Sequence, residues 1–204
     1  MAACCLCDGP VTLSGIPDIY DIRVICGIAA DIGMTAVRLP NGDIELDPRS
    51  IRNADIDKEK ASAYRASYYF IGALLAKFGK VSIGFPGGDN FVSRPIDQHL
   101  KGLKALGTEF AFHEDHYVAE AKKLTGADIY FDTITSGATI NCMLAAVLAE
   151  GRTVLRGAAK DPEVVDTAVM LNAFGAKIAG AGTDTIRIDG VKRLGGGRHT
   201  VIPD

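Results

Sequence analysis

One stretch of the 204-residue chain concentrates groups able to do chemistry: Phe85-Pro86-Gly87-Gly88-Asp89-Asn90-Phe91-Val92-Ser93-Arg94, followed by Pro95. Asp89 is a titratable group beside a glycine pair that frees the backbone. Arg94 is a guanidinium fork next to the proline that opens a helix, where an anion such as phosphate is stabilised. The same composition also fits an ordinary surface loop. Two other groupings suggest metal binding and are weaker. Cys4, Cys5 and Cys7 crowd the start of the chain, but no second Cys/His cluster accompanies them at metal spacing, so they read as reduced packing thiols. His113 and His116 lie in His-Glu-Asp-His between two strand-like runs, the pattern of a solvated hairpin turn. Neither grouping is read as a metal site.

The elements that must hold this loop belong to a repeat of about 70 residues. Its register shows in Gly9-Pro10-Val11-Thr12-Leu13, Gly79-Lys80-Val81-Ser82-Ile83 and Gly151-Arg152-Thr153-Val154-Leu155. An apolar helix-like stretch precedes each marker: Ala2 to Cys7, Ala66 to Phe78 and Ala138 to Glu150. After each comes a strand, a proline (Pro17, Pro95 or Pro162) and an amphipathic helix ending at Gly33, Gly107 or Gly175, where glycine suits a left-handed cap. Asp161-Pro162-Glu163 reads as N-cap, N1 and acidic first turn. Two short alternating strands follow in each unit, Ala36 to Leu39 with Asp43 to Leu46, Glu109 to Phe112 with Tyr117 to Ala119, and Ala176 to Ile178 with Thr185 to Ile188. A further strand, such as Ile129 to Phe131, leads into the next unit. The expected fold is therefore α/β, one domain over 1–204 with βαβαββ units near 1–60, 61–125 and 126–204. Helices apolar nearly all round belong inside and one-faced sheets outside, which gives pseudo-threefold symmetry.

The repeat also singles out the loop. Gly9 to Gly33 and Gly151 to Gly175 are both 24 positions apart, but Gly79 to Gly107 are 28 apart. The extra residues fall at the Asp89 segment. Composition narrows the function classes: 22 basic and 25 acidic residues give a formal charge of -3 without a long run of either sign, so no nucleic-acid surface is advertised. The apolar runs Tyr68 to Ala76 and Cys142 to Ala149 are about half of the ~20 residues that a membrane span needs. No basic, then apolar, leader opens the chain, and a cytoplasmic location is expected.

At this loop the sequence resembles the enolpyruvyl transferase family. The resemblance runs through Arg65-Ala66-Ser67, Pro86-Gly87-Gly88, Ser93-Arg94-Pro95-Ile96-Asp97-Gln98-His99-Leu100-Lys101-Gly102-Leu103, Ser136-Gly137-Ala138-Thr139, Asp161-Pro162-Glu163-Val164-Val165-Asp166 and the tail from Gly195 to Asp204. It implies two domains, each an inside-out α/β barrel of three βαβαββ units, with substrates in the cleft between them. The implied reaction moves enolpyruvate from phosphoenolpyruvate to the 3-hydroxyl of UDP-N-acetylglucosamine in peptidoglycan synthesis and releases phosphate, with no metal or organic cofactor implied. The Pro-Gly-Gly-Asp and Ser-Arg-Pro-Ile-Asp strings argue against the shikimate branch of the family.

By the same resemblance, Arg65, Arg94, Pro95, Ile96, Asp97, Gln98, Thr133, Ile134, Thr135 and Ser136 contact the UDP-sugar, with guanidinium pairing suited to phosphorylated anions. Arg65 also fits an ion pair beside a helix, and Asp97 a first-turn helix acid. Asp89 aligns with the family's general acid, most often a cysteine. An ordinary aspartic acid, with a pKa of about 3.9, is only ~0.1% protonated at neutral pH, so Asp89 needs a raised pKa to donate a proton. Lacking that thiol, the protein is expected to resist fosfomycin, which alkylates it. Thr133 stands where many members have lysine, and Tyr69 where some have tryptophan. The resemblance implies a further segment before Met1 and a second domain after Asp204, in cis or trans. One half alone is expected to be inactive, because catalysis needs groups from both walls of the site. A non-catalytic UDP-sugar-binding or interaction module of the same fold is the alternative.

Overall fold

The computed structural model describes residues 1–85 and 96–203. Among these, three separate sheets surround a helical interior. The first holds β1 (Val11–Ser14), β2 (Thr35–Arg38), β3 (Ile44–Asp47) and β11 (Gly197–Thr200) in the order β11-β1-β3-β2. The second holds β7 (Asp128–Tyr130), β8 (Arg152–Arg156), β9 (Lys177–Ala179) and β10 (Thr185–Asp189) as β7-β8-β10-β9. The third holds β4 (Lys80–Gly84), β5 (Glu109–Phe112) and β6 (His116–Glu120) as β4-β6-β5.

In each sheet the marker strand pairs antiparallel with the second strand of the following hairpin. Its other edge takes a parallel neighbour: β7 on β8, β11 on β1, and for β4 the single bridge from Asp55 to Ser82. The neighbour of β1 was not foreseen. It comes from the far end of the chain, with Val11 opposite Gly197 and Ser14 opposite Thr200. The strands alternate buried and exposed positions, as in β3, β6, β8 and β10, so each sheet keeps one face in water. The sheets are not joined into a closed barrel.

Six α-helices fill the described chain: α1 (Tyr20–Asp31), α2 (Lys58–Ala63), α3 (Tyr69–Phe78), α4 (Asp97–Ala105), α5 (Ser136–Ala146) and α6 (Pro162–Ala173). Every residue of α5 from Ala138 to Ala146 is buried, and α3 is buried from Phe70 to Leu75. This follows from apolar character all round the helix. α1, α4 and α6 stop at Gly33, Gly107 and Gly175, whose φ values of 92°, 102° and 110° only glycine adopts freely. α2 escaped the periodicity because it is one and a half turns long, although Asp57 caps it by accepting from the Lys60 N–H. His113 and His116 flank the turn between β5 and β6, their rings stacked at 4.5 Å. All five cysteines are free, and Cys4, Cys5, Cys7 and Cys142 are buried. Burial pushes the Cys142 thiol up to about 12, which leaves it protonated packing material. No helix among the described residues is long and apolar enough to cross a membrane.

Candidate functional site

The amino ends of α3, α4 and α5 converge on a pocket of about 740 Å³. One wall is a 3-10 turn, Arg65–Tyr68, that runs directly into α3. The second is the first turn of α4, with Asp97, Gln98 and His99, and the third is Thr133, Thr135, Ser136 and Gly137 at the start of α5. Unsatisfied N–H groups at helix starts carry partial positive charge, so this end of the interior favours anions. Arg65 adds a full charge, and no carboxylate of a described residue pairs with it.

Side-chain hydrogen bonds fix the walls to one another. The Gln98 side-chain carbonyl accepts from the Asp132 backbone N–H (3.0 Å), and its amide donates to Asp97 Oδ2 (2.7 Å) and Asp132 Oδ2 (3.4 Å). Lys101 Nζ lies 2.6 Å from the same Asp132 oxygen, and these two partners hold the Asp132 carboxyl below the usual carboxylate range. Ser136 Oγ donates to Asp161 Oδ2 at 2.7 Å. Asp161 does stand at the N-cap of α6 with Pro162 at N1, as expected, but its carboxylate makes no capping bond and accepts from Ser136 instead.

The floor is neutral and aromatic. His99 is buried, and its ring meets Tyr68 edge-on at 6.0 Å. Burial, with the Arg65 charge adding to it, pushes His99 down to about 4. Asn141 Nδ2 lies 3.1 Å from His99 Nδ1. An amide N–H can only donate, so Nδ1 accepts and the imidazole proton sits on Nε2. Burial raises Tyr68 to about 12, and burial together with the Asp21 carboxylate does the same to Tyr64 at the rim.

Of the residues expected at the site, Arg65, Asp97, Gln98, Thr133, Thr135 and Ser136 line this pocket together. Ile134 does not: it is 66% exposed and absent from the lining. Ile96 also stays out of the lining, packing on the core as the N-cap of α4. Asp89, Arg94 and Pro95 lie outside the described residues. Tyr64, Tyr68, Tyr69 and His99 belong to the pocket without having been assigned a binding role. Their signal was adjacency, to Arg65 on one side and Asp97 on the other.

A larger pocket, about 850 Å³, opens at the opposite end, around the carboxyl end of α3 and Leu148 to Gly151. Its lysines include Lys80 and Lys123, which pair with Glu120 and Glu150. Lys122 and Lys192 also line it, and the carboxyl end of α3 there carries partial negative charge, which disfavours an anionic substrate.

Residues 1–204 match a family model described as EPSP synthase (3-phosphoshikimate 1-carboxyvinyltransferase). The chain belongs to this family. Within it, the chain is 48% identical over 199 residues to UDP-N-acetylglucosamine 1-carboxyvinyltransferase 2 of Bacillus subtilis, covering 98% of this chain and 46% of that protein. It is 49% identical over 204 residues to UDP-N-acetylglucosamine 1-carboxyvinyltransferase 3 of Caldanaerobacter subterraneus, covering 100% and 49%. The chain thus spans about half the length of the curated relatives it matches. Among solved structures, the enolpyruvyl transferase NikO from Streptomyces tendae superposes with a TM-score of 0.86 at 23% identity, over all of this chain and 48% of that one. EPSP synthase from Acinetobacter baumannii follows at 0.77 and 17%, over 98% and 46%. These two likenesses establish the shared α/β fold of the family.

Proposed function

We propose that this chain forms one wall of a UDP-N-acetylglucosamine enolpyruvyl transferase, which moves enolpyruvate from phosphoenolpyruvate to the acceptor's 3-hydroxyl and releases phosphate. The observation that carries the reading is the pocket in which Arg65, Asp97 and the amino ends of α3, α4 and α5 meet. It suits a phosphorylated, hydroxyl-rich ligand: partial and full positive charge for the diphosphate, and Asp97, Thr133 and Thr135 for polar groups of the nucleoside and sugar. The identity of 48–49% to proteins carrying that name favours this acceptor over shikimate 3-phosphate.

For the transfer to conserve the enol double bond, C3 of phosphoenolpyruvate must gain a proton while C2 accepts the acceptor oxygen, and lose one as phosphate departs. Asp89 is the proposed donor of that proton, and Arg65 and Arg94 the proposed anion holders. We also assign the three sheets to three βαβαββ units of one pseudo-threefold, inside-out barrel domain acting in the cytoplasm. The second domain would bring the opposite wall. Binding without turnover is the alternative function for a chain that spans half of its relatives.

Calorimetric titration with UDP-N-acetylglucosamine, with Arg65→Ala and Arg94→Ala as controls, tests the proposal. Binding that is lost in both variants supports it. Equal heats from the parent and both variants would overturn it.

A further inference from the structure

We propose that Gln98 is a positioning residue: it clamps the first turn of α4 to the segment that follows β7 and thereby sets Asp97, Thr133 and Thr135 against one another in the pocket. The inference deepens the reading of this pocket as a UDP-sugar site and rests on it.

Gln98 is only 6% exposed, and its carboxamide makes three hydrogen bonds. Its orientation follows from chemistry. The oxygen meets the Asp132 backbone N–H at 3.0 Å, while the nitrogen meets carboxylate oxygens of Asp97 and Asp132 at 2.7 and 3.4 Å. The flipped amide would set oxygen against two carboxylates and N–H against N–H. Both N–H groups are taken by carboxylates, the oxygen already accepts from a backbone N–H, and the side chain is buried, so Gln98 acts through its partners.

Those partners are the pocket's own walls. Asp132 is gripped twice from α4, by Gln98 and, one turn later, by Lys101. It immediately precedes Thr133, so the grip fixes where Thr133 and Thr135 present their hydroxyls. On the other side, Gln98 donates to Asp97 Oδ2, which holds the carboxylate of a residue that lines the pocket. Leucine at 98 would keep the volume but free Asp97 and leave Asp132 to the Lys101 contact. Glutamate would keep the acceptor for Asp132 but, when ionised, face two carboxylates. The charged groups around that position are Asp97 and Lys101 on α4, Asp132 after β7 and Arg65 across the pocket.

The test titrates the protein carrying this chain with UDP-N-acetylglucosamine at pH 8 and pH 5.5, and records the melting temperature of each variant. Gln98→Leu is expected to bind about tenfold more weakly at both pH values. Gln98→Glu is expected to bind poorly at pH 8 and recover partway toward the parent at pH 5.5, because a protonated carboxyl restores the acceptor for the Asp132 N–H and one of the two donors. Parent affinity in both variants, whatever happens to their melting temperatures, would overturn the clamp while leaving the pocket reading intact. Arg65→Ala separates the two ideas: if parent and Arg65→Ala alike fail to bind, the pocket reading falls and the clamp's role falls with it. Hydrogen exchange at the Asp132 amide checks the contact independently, and unchanged exchange in Gln98→Leu would overturn the clamp by itself.

Discussion

The side chain of Asn141 on α5 is bonded into the backbone of α3 at Gly72. Its Oδ1 accepts from the Gly72 N–H at 2.6 Å, and its Nδ2 donates to the Tyr68 carbonyl at 2.8 Å, the two groups that an uninterrupted α-helix joins to each other. The contact falls where the 3-10 turn Arg65–Tyr68 becomes α3, so one buried amide supports the backbone beneath the pocket wall. Glycine is required for the approach: a Cβ at position 72 would lie 2.1 Å from the Asn141 carbonyl oxygen. Gly72→Ala is expected to cost at least about 3 kcal/mol, since backbone on both helices must move. Asn141→Leu, which strands two buried backbone groups, is expected to cost about 2–4 kcal/mol. Urea denaturation of each variant checks both values.

Acid should destabilise the pocket floor through His99. Its folded pKa of about 4 lies below the ordinary histidine value near 6.5, so the unfolded chain binds the extra proton first as pH falls. Stability from this group is complete above about pH 6.5, declines between there and about pH 4, and changes no further below. The loss amounts to about 3 kcal/mol at most. Denaturation curves at pH 7, 5.5 and 4 should show it, and His99→Gln should flatten that part of the profile.

Ser136 and Asp161 should behave as a pair. Their 2.7 Å bond joins the start of α5 to the start of α6 at a partly solvated position. Ser136→Ala and Asp161→Ala are each expected to cost about 0.5–1 kcal/mol, and the double variant little more than either alone. Additive losses in a double-mutant cycle would show instead that Asp161 stabilises α6 independently.

At Asp89 the expected outcome is chemical. Fosfomycin should leave no covalent mass increment on the protein if Asp89 holds the proposed place of the thiol that it alkylates. Asp89→Cys should gain the increment when phosphoenolpyruvate-site chemistry is intact. Intact-protein mass spectrometry distinguishes the two, and an adduct on Asp89 itself would refute the assignment.

The sequence by itself determined most of the secondary elements. Strand alternation, the glycine stops at Gly33, Gly107 and Gly175 and the all-round apolar character of α3 and α5 are local properties, written in residues a turn or a pleat apart. Family motifs likewise marked Arg65, Asp97, Thr133, Thr135 and Ser136, which the fold brings into one pocket. Tertiary structure alone decided the partners. Nothing near Val11 announces that Gly197 will lie beside it, because a parallel edge accepts any extended segment that the fold delivers. Asp161 carries the signature of a cap yet serves Ser136, and Gln98 carries the signature of a surface helix residue yet is buried between two walls. A polar side chain of given type has several possible hydrogen-bond partners, and which one it takes is settled by what the packed helices place within about 3 Å of it.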